Sequence, residues 1–232
     1  MTDVLMAVGD ASGDLHAAEL VGALRRRNPD LAIAGMGGPA MRAAGVETVV
    51  DQRALAVGGV LELLGSARRI AAAWRALDRA LVQRRPRLVV LVDSGAFNLP
   101  FARRVRRRSD ARILYYVAPQ VWAWRPGRIR KLAARVDRLA VILPFEAAIY
   151  RDTGVAVDFV GHPLVDPLTE LRAKLDPETA LAELGLDPDR AWVALLPGSR
   201  RNEVAHHLPL QLEAVRRLHA RDPRLAFAVA VA

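Results

Sequence analysis

A chain of 232 residues with 52% hydrophobic but only 5% aromatic side chains holds one sizeable core, filled mainly by Val, Leu, Ile and Ala. The absence of cysteine excludes disulfides, thiolate catalysis and cysteine-based metal sites. A net charge of +9, from 34 Lys plus Arg against 25 Asp plus Glu, favours anionic partners without choosing among nucleic acid, phospholipid surface and phosphorylated substrate.

The chain opens on Met1-Thr2-Asp3 with no basic lead, which argues against a signal peptide. No apolar run reaches the roughly 20 residues that span a bilayer, so any membrane contact is expected from the side and the expected location is cytoplasmic. Apolar runs at 4–8, 31–34, 88–92, 113–117 and 139–143 alternate with amphipathic stretches, the pattern of short buried strands and covering helices in a parallel α/β sheet.

Where the first strand meets the first helix stands Val8-Gly9-Asp10-Ala11-Ser12-Gly13-Asp14-Leu15-His16. Ligands of open parallel sheets bind beyond the carboxyl ends of strands, so Asp10, Ser12, Gly13 and His16 are candidate binding residues, with Ser12 or Asp14 also suited to cap the helix. The segment is neither GxGxxG nor a P-loop. Gly35-Met36-Gly37-Gly38-Pro39 reads as a tight loop after the second strand. A long helix is expected from about residue 60 to 84. Its apolar start either packs inward or, through Val57, Val60, Leu61 and Leu64 beside Arg68 and Arg69, rests on lipid.

The strand at 88–92 delivers Asp93 to its carboxyl end, followed by Ser94-Gly95-Ala96-Phe97-Asn98. A carboxylate there is placed to take a proton from an attacking hydroxyl, with Asn98 nearby; the other reading is a cap for the next helix. Tyr115 to Arg125 gathers most of the large aromatics, including Gln120 and Trp122, ahead of further basic residues, and suits stacking on a base or sugar or simple burial.

Prolines at 163, 167 and 177 mark 166–177 as a linker between a domain at 1–165 and the start of a second at 178–232. In the latter, Leu196-Pro197-Gly198-Ser199-Arg200-Arg201-Asn202-Glu203 joins a strand to a helix. The backbone N–H groups around Gly198 and Ser199 with the Arg200 guanidinium form a natural seat for a diphosphate, and Glu203 is a further binding candidate; Ser199 also suits an N-cap, with Glu203 supporting the first turn. A single strand, helix and strand make a thin unit, and the chain is expected to stop partway through this second Rossmann-like domain.

In order, the SGD turn at 12–14, Asp93, Val121-Trp122-Ala123-Trp124-Arg125, Gly161-His162-Pro163-Leu164-Val165-Asp166 and Leu195-Leu196-Pro197-Gly198-Ser199-Arg200 resemble the lipid-A-disaccharide synthase family across essentially the whole chain. The resemblance implies a GT-B fold and an inverting transfer. In it, UDP-2,3-diacylglucosamine donates its sugar to the 6-hydroxyl of 2,3-diacylglucosamine 1-phosphate, forming lipid A disaccharide 1-phosphate. It further implies Asp93 as base, Arg200 as the diphosphate ligand, and no metal or cofactor. Peripheral attachment to the anionic inner face of the cytoplasmic membrane is implied as well; a homodimer is an allowed assembly. Asp10 stands where many relatives have Glu, and Ala96 where a second Asp is common. Relatives continue beyond Ala232 into much of the uridine pocket, which leaves this chain's own activity open. The rival readings are another UDP-sugar transferase or epimerase, and a noncatalytic basic module for nucleic acid, which the acids at the strand ends disfavour.

Overall fold

The computed structural model describes residues 2–52, 63–199 and 201–230. Two compact units divide the chain, Met1–Asp166 and Pro167–Ala232.

The first unit is a seven-stranded parallel sheet built from β1 (Val4–Val8), β2 (Ile33–Gly37), β3 (Glu47–Asp51), β4 (Leu88–Val92), β5 (Arg112–Tyr116), β6 (Arg138–Val141) and β7 (Ala156–Phe159), in the order β3-β2-β1-β4-β5-β6-β7. The helices between them are α1 (Ala11–Arg27), α2 (Pro39–Ala43), α3 (Leu63–Arg84), α4 (Gly95–Arg108), α5 (Val121–Trp124), α6 (Ile129–Ala133) and α7 (Glu146–Ile149). All five residues of β1 are buried because both faces of the sheet are covered, which is why its sequence is a continuous apolar run rather than an alternation. The period of two is still legible in the packing. Leu5 and Ala7 join the core with Leu77 and Leu81 of α3 and Phe101 and Val105 of α4. Val4, Met6 and Val8 join the opposite core with Ala17 and Val21 of α1 and Met41 of α2.

Strand order reverses between β1 and β4, so the chain leaves these neighbouring strands in opposite directions and opens a crevice beyond their carboxyl ends. The second strand corrects the reading of the glycine-rich segment as a loop: Gly35, Met36 and Gly37 lie within β2 and are buried. The glycines serve close packing, since a Cβ on Gly35 would overlap the Met6 carbonyl oxygen and one on Gly37 would overlap Met41 Sδ. Only Gly38 stands beyond the strand, as the N-cap of α2 with Pro39 following. Strands β3 and β7 carry no long apolar run and were not legible in the sequence; each lies at an edge of the sheet and has at most one buried residue.

In the stretch expected to be a linker, residues form α8 (Val165–Lys174), with Pro167 in its first turn, where a missing N–H is tolerated, and no residue buried. The second unit continues through α9 (Pro177–Glu183), β8 (Trp192–Leu195), α10 (Arg201–Arg221) and β9 (Ala226–Val229). Strands β8 and β9 pair in parallel as a two-stranded sheet. No described helix is long and apolar enough to cross a membrane.

Candidate active site

The sheet register places the first-unit candidates together. Val8 pairs with Val92 and Val92 with Tyr116, so Gly9-Asp10, Asp93-Ser94 and Val117-Ala118 leave three adjacent strands side by side. Three residues there adopt the left-handed conformation without being glycine: Asp93 (φ 45°), Ser94 (φ 41°) and Val117 (φ 54°). Each costs on the order of 1–3 kcal/mol, and β-branched Val117 is the least tolerant, so the surrounding structure must hold them.

Asn98 and Tyr115 supply that hold. Fully buried Asn98 donates from Nδ2 to the carbonyl oxygens of Ala7 (3.2 Å), Val92 (2.9 Å) and Asp93 (3.0 Å), tying β1, β4 and the turn into one unit. The Tyr115 hydroxyl donates to the Asp93 carbonyl oxygen at 2.6 Å. Burial pushes the Tyr115 phenol well above its ordinary value, so it keeps its proton and remains a donor. Ser94 occupies the cap position without a side-chain capping bond, and the Asp93 side chain is half-buried at the crevice.

Asp10, rather than Ser12 or Asp14, caps α1. Its Oδ1 accepts from the Gly13 amide at 2.7 Å and from Ser12 Oγ at 3.0 Å. Asp10, Ser12 and Gly13 thus form one hydrogen-bonded turn over the crevice. Buried Asp14 points away from it, with its carboxylate accepting from the amides of Gly38 (2.6 Å), Ala40 (2.9 Å) and Met41 (3.2 Å), the open N-terminus of α2. His16 is buried with Nδ1 lacking a partner among the described residues, and its ring meets that of His162 edge-on at 5.8 Å. Burial first, and then the neighbouring His162, hold the His16 imidazole below its ordinary value. Sequence reasoning did not include His162 in the site. The available signal was Gly161-His162-Pro163 just after a strand, where Gly161 takes a φ of 77° that turns the chain.

In the aromatic loop, Gln120 is exposed at the start of α5. Trp122 spends its polar end on the protein itself, donating from Nε1 to buried Glu146 at 3.0 Å, while Glu146 also accepts from the amides of Ile142 and Leu143. What Trp122 offers a ligand is therefore its ring, which already meets Phe145 edge-on at 5.0 Å.

In the second unit, Gly198 and Ser199 follow β8 at its carboxyl end, ahead of α10. Gly198 has a φ of 119°, and a Cβ there would stand 2.6 Å from Glu203 Cβ. The Ser199 amide donates to Glu203 Oε2 at 3.1 Å, so Glu203 supports the turn. Beside this turn a groove of about 380 Å³ runs along Val204, Ala205 and Leu208 to Val229 at the end of β9. Arg200, Val57, Val60 and Leu61 lie outside the described residues, as does the side chain of Leu64. Among the described residues no three His, Asp or Glu side chains gather into a metal site.

Residues 4–232 match the family model described as lipid-A-disaccharide synthetase. The chain is similar to the lipid-A-disaccharide synthase of Geobacter metallireducens, at 45% identity over 229 residues covering 99% of this chain and 59% of that one. It is similar also to that of Myxococcus xanthus, at 43% identity with the same shares covered. It therefore spans about 59% of the length of these curated relatives. Among solved structures it resembles the UDP-GlcNAc 2-epimerase of Neisseria meningitidis, with a TM-score of 0.69 at 11% identity, covering 100% of this chain and 66% of that one. The calicheamicin glycosyltransferase CalG4 gives a TM-score of 0.54 at 17% identity, with 99% and 64% covered. These likenesses show the fold to be GT-B-like, and the sequence matches show that the chain belongs to the lipid-A-disaccharide synthase family.

Proposed function

We propose that this chain carries the acceptor side and the beginning of the nucleotide-sugar side of an inverting glycosyltransferase of lipid A biosynthesis. In the complete enzyme, UDP-2,3-diacylglucosamine is the donor and 2,3-diacylglucosamine 1-phosphate the acceptor. The observation that carries this reading is the left-handed Asp93-Ser94 turn at the point where strand order reverses, fixed by Asn98 and Tyr115. Strain of this kind persists where a side chain must be aimed.

In the proposed step, the acceptor 6-hydroxyl oxygen attacks the anomeric carbon as its proton passes to the Asp93 carboxylate. The bond from that carbon to the diphosphate oxygen breaks, and UDP leaves with the electron pair. Arg200 and the N-terminal end of α10 hold the diphosphate, since a helix N-terminus and a guanidinium both favour anionic oxygens. Asp10, Ser12, Gly13 and His16 bind the substrate at the first strand end, with Gln120 and Trp122 across the crevice. The first unit takes the acceptor, and the second begins the donor half at about residue 178. Because the substrates are lipids, the complete enzyme works against the inner face of the cytoplasmic membrane.

A positioned base is worth about 10²–10⁴-fold in rate. In the full-length enzyme, Asp93→Asn is expected to lower turnover by that factor while leaving donor affinity and thermal unfolding unchanged. Turnover of the variant at the wild-type rate would remove Asp93 from this role.

A further inference from the structure

Glu146, the first residue of α7, is a fully buried carboxylate whose hydrogen-bond partners are all N–H groups of the protein. Its two oxygens serve different parts of the chain. Oε2 accepts from the amides of Ile142 (3.2 Å) and Leu143 (2.9 Å) in the turn that leaves β6, whereas Oε1 accepts from the Trp122 indole at 3.0 Å, 24 positions away. The pocket around it is dry. Tyr150, also fully buried, has its phenol pushed up to about 12 by burial first and then by the Glu146 charge. Burying a carboxylate is costly, and the local turn uses only one of its oxygens.

The indole does not require this partner for its own satisfaction. A ring that is only half-buried can turn its N–H to water at little cost. What the bond adds is a fixed ring plane, because Trp122 is held at Nε1 by Glu146 and met edge-on by Phe145 at 5.0 Å. The loop that carries the ring is itself set against the turn of the proposed base. It leaves β5 beside β4, and a Cβ on Gly95 would stand 2.9 Å from Pro119 Cβ, so the loop packs on the first turn of α4. Phe145 is 49% exposed, and with Trp122 it makes an aromatic corner beyond the carboxyl ends of β5 and β6. Adjacent strands lie about 4.8 Å apart, which puts this corner one and two strand spacings along the edge from Asp93.

We infer that Glu146 is a positioning residue, which holds the Trp122 ring as a flat apolar wall for the pyranose ring of the acceptor while the acceptor hydroxyl is presented to Asp93. Glu146 meets no substrate and acts through the indole alone. The inference rests on the proposed transfer, in which Trp122 binds the substrate.

The test is steady-state transfer by the full-length enzyme, with the acceptor varied at saturating donor. In Glu146→Gln the one amide oxygen can still serve the β6 turn, but the amide NH2 then faces the indole N–H, donor against donor, and the ring turns. The acceptor KM is expected to rise by about fivefold or more, with kcat within about twofold and the donor KM unchanged. Trp122→Phe keeps a ring, removes the N–H and should raise the acceptor KM by a similar factor. The two changes together should raise it no further than either alone, because both remove the same bond. Trp122→Ala removes the ring and should raise it at least as far. A wild type that transfers nothing to this acceptor overturns the proposed reaction and this inference with it, and a wild-type acceptor KM in Trp122→Ala overturns the binding role of Trp122 and the inference together. A raised KM in Trp122→Ala but not in Glu146→Gln, effects of Glu146→Gln and Trp122→Phe that multiply, or a loss confined to kcat overturns the positioning role alone. If the urea midpoint shows that Glu146→Gln does not fold, Trp122→Phe decides: a wild-type acceptor KM there means that the indole N–H is not needed to aim the ring.

Discussion

His16 is the residue at which burial and titration meet. Its imidazole is held below the ordinary 6.5 chiefly by burial and next by His162, against the opposing pull of Glu19 and Asp10. As pH falls, the unfolded chain takes up this proton before the folded one does. The stability contributed by neutral His16 is therefore complete above its unfolded value near 6.5 and is lost as pH falls through the lower folded value. Urea midpoints measured from about pH 7.5 down to about pH 5 are expected to fall more steeply for the wild type than for His16→Gln. Parallel curves would show that the histidine titrates alike in both states. Some residues at this scale were open to sequence reading and some were not. The position of Asp93 at the carboxyl end of β4 was legible, because it directly follows an unbroken apolar run. The service of Asn98 to three carbonyl oxygens was not, because one of those partners lies on β1, far away along the chain.

At the scale of elements, α2 shows how a short helix is kept in place. It has five residues and an N-cap glycine with no side chain to offer, so its exposed amides depend on a carboxylate from another helix. Asp14 supplies it through three hydrogen bonds, and a Cβ on Gly38 would stand 2.6 Å from Asp14 Oδ2. Asp14→Ala is expected to lower stability by about 2–4 kcal/mol, since three amides, two buried and one part-buried, lose a charged acceptor, and a urea titration would measure it. A loss below about 0.5 kcal/mol would mean that water or a neighbour replaces the carboxylate. The central strands β1 and β4 could be read from composition because burial on both faces demands an unbroken apolar run. Edge strands β3 and β7 escaped for the converse reason, since Glu-Thr-Val-Val-Asp and Ala-Val-Asp-Phe need cover only one neighbour. Glycines within β2 misled the reading because the demand on them comes from Met6 and Met41, which a local turn signal does not anticipate.

For the molecule as a whole, the two units differ in how much they bury. The first holds a seven-stranded sheet with apolar packing on both faces, whereas α8, α9 and α10 have no buried residue among those described. Limited digestion by trypsin, for which arginines are plentiful in both units, is expected to cut within 167–232 first and leave a resistant fragment close to 1–166. Simultaneous loss of both would show that the second unit opens no more readily than the first. The parallel architecture and its alternation of elements were visible in the sequence, because hydrophobic period and strand length are local properties. The reversal of strand order was not visible, since no local pattern states which strands become neighbours.

That reversal also sets a schedule for biosynthesis. The Asn98 amide and the Ala7 carbonyl oxygen it binds are separated by 91 positions. At ribosomal speeds of about 5–20 residues per second, the first strand waits on the order of 5–20 s for its partner on that side. During this interval an apolar ribbon with unpaired backbone groups is open to any passing strand, the situation in which nascent chains aggregate or are captured by a chaperone. The crevice thus cannot exist before the fourth strand is made, and a ribosome pause before codon 88 would lengthen the hazard without altering a single amino acid.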